Sequence, residues 1–344
     1  MQEIWPLLKH WVSDGVPFAL ATVVEASRPS PRGVGSVLAV QSDGDAFIGS
    51  VSAGCVESEV IEAAKACMAD GEVRWLSFGP DSGFPWEVSL SCGGRIRVRI
   101  EPFAGLSDPD LGKQLSSLLD AQDRGLLVSH NGRHFLLEHD EIWGTERSVD
   151  STGLIERAKE HYRTAEGTTE IEWDGAPALL RVLSRPKRLF VVGAAHIAIH
   201  LVGFAQSLGF ATIVIDPRES YAREDRFPNP PDALICEWPK HALEKYSITG
   251  SDCLAAMTHD PKIDDEALNV FLRSDSEYIG ALGSRKSHAA RLKRLGKLGF
   301  KDDSFSRIHA PVGIDIGSET PAEIALSVMA EIVKKSNQKH SVTR

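Results

Sequence analysis

The stretch Leu189-Phe190-Val191-Val192-Gly193-Ala194-Ala195-His196-Ile197-Ala198 decides the fold. Four apolar residues of strand length run into a glycine and then into a helix-compatible segment, the opening of a βαβ unit. Downstream the pattern repeats. Runs at 212–215, 233–235, 253–257, 278–281 and 307–309 alternate with segments read as helices of ten or more residues. The spacing predicts a six-stranded parallel sheet with right-handed crossovers, a Rossmann-type domain. A final helix carries its own start signal, with Thr320 as N-cap, Pro321 in the first turn and Glu323 three residues after the cap.

Upstream, the composition changes at Ser184-Arg185-Pro186-Lys187-Arg188, a basic, proline-containing stretch that sets a domain boundary between 1–184 and 185–344. Runs at 18–25, 36–40, 46–51, 95–100, 125–129 and 134–138 are rich in Val, Ile and Leu and are bounded by turn residues, so they read as strands. Residues 56–69, with Val60, Ile61, Ala64 and Met68 at helical spacing, and 112–122 read as helices. The fold class is therefore α/β, an α+β domain followed by a Rossmann-like doubly wound sheet.

Composition agrees with two folded domains. The 344 residues exceed the roughly 150 of one typical domain. The formal net charge of −10, with no basic tail, disfavours bulk attraction to nucleic acid or an anionic membrane. No apolar run approaches the roughly 18 residues of a membrane span. The opening Met-Gln-Glu-Ile-Trp lacks the basic and apolar regions of a signal peptide, so a cytoplasmic location is expected. Five widely spaced cysteines with no C-x-x-C pair argue against a disulfide framework and against a structural zinc site.

In open α/β sheets ligands bind beyond the carboxyl ends of the strands. Here those positions carry Gly193 and His196, Asp216 and Arg218, His259 and Asp260, Ser284 with Arg285 and Lys286, and His309 leading to Asp315. Each alone has a bland reading as cap, turn or structural residue. Five together favour a binding crevice. Helix amides and cations at Ser284 and Arg285 favour a phosphate, whereas Arg291, Lys293 and Arg294 read as a solvated basic face. Asp216 lies 23 positions after Gly193, near the spacing of a ribose-binding carboxylate. Ala195, however, stands where the dinucleotide fingerprint has its second glycine, and its methyl group disfavours NAD(P). The competing function is an NAD(P)-dependent oxidoreductase with His196 or His259 as proton donor and Asp216 on the ribose.

In the first half, Cys55 lies in Ser50-Val51-Ser52-Ala53-Gly54-Cys55-Val56-Glu57, between a strand and a helix. A thiol at a helix N-terminus is favoured as thiolate, which ligates soft metals or attacks sulfur; the bland reading is a small residue in a tight turn. Cys92, in Ser91-Cys92-Gly93-Gly94, could face the same site. Cys67 and Cys253 read as packing residues, and Cys236 ends a strand. Arg28 and Arg32 bracket Pro29-Ser30-Pro31 and could hold an anion on a rigid loop.

These motifs, with Met257-Thr258-His259-Asp260, Ile279-Gly280-Ala281-Leu282-Gly283-Ser284-Arg285 and His309-Ala310-Pro311-Val312-Gly313-Ile314-Asp315, occur in an order that resembles the xanthine dehydrogenase accessory proteins of XdhC/CoxI type, from about residue 19 to residue 333. The resemblance implies a chaperone that binds the molybdenum cofactor (molybdopterin), promotes or guards its sulfurated form and inserts it into an apo-molybdoenzyme of the xanthine dehydrogenase class. Cys55 would then be a molybdenum ligand. Cys92, Arg32, Gly193, His196, Asp216, His259, Asp260, Ser284, Arg285, His309 and Asp315 would be cofactor-binding positions. A cysteine desulfurase is an expected partner, a homo-oligomer is admitted, and nucleic acid and membrane are not expected. A third reading is a sulfur-transfer enzyme using a Cys55 persulfide. The chain departs from the family at Ala53 and Ala195, where glycine is usual.

Overall fold

The computed structural model describes residues 1–341 apart from 28, 31, 43, 80–92, 104–107, 122, 140, 145–151 and 165–166. They fall into two compact units, Met1–Arg185 and Pro186–Arg344.

The first unit opens with α1 (Trp5–Ser13) and contains two five-stranded antiparallel sheets. One sheet comprises β1 (Phe18–Ala26), β2 (Val37–Gln41), β3 (Phe47–Gly49), β4 (Arg74–Phe78) and β5 (Ile96–Pro102), in the order β3-β2-β1-β5-β4. Alternate side chains of β1 serve two cores. Phe18 and Leu20 join Trp5 and Leu8 of α1 and Leu111 and Leu115 of α3 (Pro109–Ala121). Ala19, Ala21 and Val23 pack on Val60, Ala64 and Cys67 of α2 (Glu57–Asp70). Burial on both faces is why β1 reads as a continuous apolar run.

The second sheet comprises β6 (Gly125–His130), β7 (Arg133–Glu138), β8 (Glu141–Gly144), β9 (Thr168–Trp173) and β10 (Ala176–Leu183), in the order β8-β7-β6-β10-β9. Leu154 and Ala158 of α4 (Thr152–Thr164) pack on it. Leu127 and Leu136 join the core of Phe18 and Leu20, so the two sheets share an apolar layer. Beside that layer lies a buried polar group of Thr22, Arg99, Glu101, Ser129, His134 and Arg181. Arg99 Nη2 donates to Glu101 Oε2 at 2.9 Å and to Ser129 Oγ at 3.1 Å, Ser129 donates to Glu101, and Arg181 donates to Thr22. Burial opposes ionisation of Glu101, but the His134 ring 3.8 Å away, the Arg99 guanidinium and the Ser129 hydroxyl hold it down at about 2.

The second unit is the parallel sheet that the periodicity predicts. Its strands are β11 (Arg188–Val192), β12 (Ala211–Ile215), β13 (Ala233–Ile235), β14 (Cys253–Ala256), β15 (Tyr278–Ala281) and β16 (Ile308–His309), in the order β13-β12-β11-β14-β15-β16. Leu189 and Val191 face α5 (His196–Ser207) and α10 (Pro321–Ser341), while Phe190 and Val192 face α7 (Pro261–Leu272). The capping box of α10 forms: Glu323 Oε2 accepts from the Thr320 N–H at 3.0 Å, and the Glu323 N–H donates to Thr320 Oγ1 at 3.3 Å.

The expectation of crossover helices of ten or more residues fails at α6 (Pro239–Leu243) and α9 (Asp302–Phe305), each little more than one turn. Apolar periodicity also misses α1, α4, β4, β8 and β9. Among these, β4 and β9 are mostly half-exposed and interrupted by polar residues, so neither presents a clean alternation. Among the described residues no helix is long and apolar enough to cross a membrane.

Candidate functional site

In the first unit the loop between β3 and α2 is organised by a residue that sequence reasoning passed over. Glu57 Oε1 accepts from the Ser50 hydroxyl at 2.6 Å, the Ser52 N–H at 2.9 Å and the Val51 N–H at 3.2 Å. Glu57 Oε2 accepts from the Gly54 N–H at 2.8 Å, the Val56 N–H at 3.2 Å and the Ser52 hydroxyl. Partial burial works against the charge, but these donors outweigh it and hold the carboxyl down at about 2. The donors can converge because Ala53 and Gly54 turn left-handed, with φ of 62° and 105°.

Cys55 stands exposed on this loop, its N–H donating to Ser52 Oγ at 2.9 Å. It precedes the N-cap, which is Val56. The amides that Glu57 gathers, at residues 51, 52, 54 and 56, belong to the loop and the N-cap that precede the helix. Glu57 was legible in principle as an acidic residue opening a helix.

Cys67 is buried within α2, its Sγ 3.7 Å from the Ile100 carbonyl oxygen, and burial pushes its thiol up to about 11. Cys236 is exposed and Cys253 buried. Cys92 and Arg28 lie outside the described residues. Arg32 Nη2 donates to both Glu3 carboxylate oxygens, at 2.8 and 3.0 Å. Among the described residues no group of three or more His, Cys, Asp or Glu side chains is placed to hold a metal ion.

In the second unit the carboxyl edge of the sheet carries the expected polar set, but several members are engaged. Gly193 (φ 105°) lets β11 and β14 approach; a Cβ there would fall 2.6 Å from Thr258 Cγ2. The next peptide is held at both ends, the Ala194 N–H by Asp216 Oδ2 at 2.8 Å and the Ala194 carbonyl by Arg226 Nη1 at 2.9 Å.

Asp216 is fully buried, and Arg218 grips both its oxygens at 2.8 and 2.7 Å. Burial disfavours the Asp216 anion, but the bonds from Arg218 and Ala194 outweigh it and lower its proton affinity. Both Asp216 oxygens thus brace the loop, at the position where a ribose-binding carboxylate was expected. Arg218, named with Asp216 at the same strand end, is the other half of that brace.

Asp260 caps α7, accepting from the Lys262 N–H at 2.9 Å, and also contributes favourable charge at Arg218. His259 is exposed in a left-handed turn with φ 64°. His196 opens α5 and Asp315 lies on an exposed turn bonded to the Gly317 N–H at 3.2 Å. Ser284 caps α8 (Arg285–Lys297), and Arg285 is exposed beside it. His309 Nδ1 lies 3.0 Å from Glu331 Oε1, and its ring sits 4.7 Å from that of Tyr278. Glu331 was not singled out from sequence, because it lies within the apolar pattern of α10.

Arg291 overturns the reading of a solvated face: it is 4% exposed, and its Nη2 donates to the Leu282 carbonyl at 2.7 Å. Arg291 and Leu295 are four residues apart and form the inward face of α8, the spacing that identifies them in retrospect. Arg294 pairs with Asp265 on α7 at 3.1 Å and closer.

Comparison with known proteins places this geometry in context. Residues 189–332 match the XdhC Rossmann domain, and residues 11–79 match the XdhC and CoxI family. Along 97% of the chain it is 28% identical to a protein of Bacillus subtilis described as a probable subunit of xanthine dehydrogenase, covering 98% of that protein. Along 93% it is 25% identical to the "Molybdenum cofactor insertion chaperone PaoD" of Escherichia coli, covering 83% of it. A crystal structure described as a xanthine dehydrogenase of Bacillus halodurans superposes with a TM-score of 0.73 at 26% identity, covering 96% of both chains.

Proposed function

The chain belongs to the XdhC and CoxI family, and on that premise we propose that it is an accessory protein that binds the molybdenum cofactor, matures it and inserts it into an enzyme of the xanthine dehydrogenase class. One observation carries this reading: the likeness to a cofactor insertion chaperone runs through both units, along 93% of the chain. A parallel sheet alone would support many unrelated chemistries.

The chemistry of the residues fits such a cargo. Cys55 offers a soft sulfur donor at an exposed position, on a loop whose backbone is tied down by Glu57 and Ser52. It is the residue that would ligate the metal in the first unit. In the second unit, His196, His259, Ser284, Arg285, His309 and Asp315 are the strand-end groups that would contact the organic part. When bound, the group supplies the metal centre that the recipient enzyme uses; this chain binds it, orients it and releases it. We assign the sulfur of maturation to a cysteine desulfurase that meets the protein in the cytoplasm. The nicotinamide reading is set aside because Asp216 and the Ala194 peptide are already paired.

The test is extraction of the protein purified from cells that make the cofactor, with conversion of any pterin to a fluorescent derivative. Pterin approaching one per chain, and restoration of activity to an apo-enzyme of the xanthine dehydrogenase class, are expected. Bound nicotinamide without pterin would overturn the reading.

A further inference from the structure

We propose that the cleft at the start of α8 is a phosphate-monoester site built on Arg291. The proposal rests on the cofactor reading above, since molybdopterin carries such a phosphate.

Arg291 lies in the second turn of α8, and helical side chains lean toward the N-terminus. Its guanidinium accordingly reaches back to the loop that opens the helix, where Nη2 meets the Leu282 carbonyl at 2.7 Å. Although the side chain is almost wholly buried, its Nε and Nη1 have no hydrogen-bond partner. Buried donors are normally paired, so two orphaned N–H groups on one cation call for an acceptor. Asp264 forms an ion pair with Nη2 at 3.7 Å and its Oδ1 accepts from the Thr258 hydroxyl at 2.7 Å, so it leaves Nε and Nη1 without an acceptor.

The guanidinium borders a cleft of about 100 Å³ shared with His259, Asp264, Leu282, Ser287 and Arg294. That volume suits a single tetrahedral oxyanion and is well below the roughly 300 Å³ at which pockets for whole ligands begin. Gly283, with φ 131°, keeps the entrance clear; a Cβ there would fall 2.6 Å from Ser287 Oγ. The first-turn amides of α8 and the exposed Arg285 and Lys286 add positive potential at the mouth. Arg294 is neutralised by Asp265, which leaves Arg291 as the principal donor.

The experiment follows the 31P linewidth of inorganic phosphate at constant ionic strength, with the parent, Arg291→Met, Ala290→Glu and Lys293→Ala. Ala290 is exposed and lines the cleft, so its replacement by Glu places a carboxylate there while leaving Arg291 and its bond to Leu282 intact. Saturable broadening is expected in the parent and in Lys293→Ala, and at least a tenfold loss in the other two, all four keeping the parent's circular dichroism. A second arm compares the cofactor with and without its phosphate, and AMP serves as the nucleotide control. Dephosphorylation is expected to weaken binding tenfold or more in the parent but not in Ala290→Glu, and AMP to bind no more tightly than phosphate. Equal broadening in the parent and Ala290→Glu, or none in the parent, overturns the site. Phosphate binding with no effect of dephosphorylation removes the cofactor from the site. Phosphate binding with no pterin binding at all overturns the cofactor reading itself.

Discussion

His309 donates its Nδ1–H to the Glu331 carboxylate across 3.0 Å. The same carboxylate accepts the Tyr278 hydroxyl at 2.5 Å and the Gly313 N–H at 2.8 Å. Burial disfavours the Glu331 anion, but these three donors outweigh it and lower its proton affinity. An ionised Glu331 can only accept, so the hydrogen bond runs from the Nδ1–H of His309, and Nε2 points away from Glu331.

Glu331→Gln is expected to cost about 1–3 kcal/mol, because the amide must turn a donor toward one of three donors. The stabilisation of a depressed carboxyl is present above its unfolded pKa and is lost as pH falls through its folded value. The difference between parent and variant in urea unfolding should therefore shrink as pH is lowered from 7 to below 4. A difference independent of pH would show that the charge of Glu331 contributes nothing.

Glu57 holds the loop of Cys55, so Glu57→Gln should loosen that loop and cost roughly 1–2 kcal/mol, a figure reduced for partial solvent exposure. Its carboxyl falls from the ordinary 4.5 to about 2, so its contribution is complete above pH 4.5 and disappears as pH approaches 2. Hydrogen exchange of the amides of residues 51–56 should accelerate in the variant at neutral pH. Unchanged protection would mean that the loop is held by other contacts.

Cys55→Ala should retain stability within about 0.5 kcal/mol, since the side chain is exposed, while losing most of the bound pterin. Cys67→Ala should behave in the opposite way, costing on the order of 1 kcal/mol through a cavity under β1 and β5 with pterin retained. Thermal unfolding and pterin fluorescence on the same preparations separate the two. Equal pterin content in the Cys55 variant and the parent would remove the thiol from cofactor binding.

Asp216→Ala leaves the Ala194 N–H and the Arg218 guanidinium without their partner, a loss expected to cost about 3–5 kcal/mol. Calorimetric titration of the parent with NAD and NADP should show no binding at cellular concentrations, and Ala195→Gly should not restore it, because the adjacent peptide stays held by Asp216 and Arg226. Tight nucleotide binding by the parent would return the oxidoreductase reading.

What the sequence determined by itself is local. Apolar alternation, loop glycines and the Thr320–Glu323 box act over a few residues, so the run at 189–192, the alternation of strands and helices in the second unit and the start of α10 were legible from it alone. Tertiary structure alone decided which polar residues are engaged. Arg285 and Arg291 are the same residue type on one helix, yet the first is exposed and the second 4% exposed. Asp216 meets Ala194 from 22 positions away, Glu331 meets His309 from the same separation, and Glu101 meets Ser129 from 28. A charged side chain has the same identity in water as in a core; desolvation and the partner brought to it by packing settle its charge and its role, and neither is written in its neighbours.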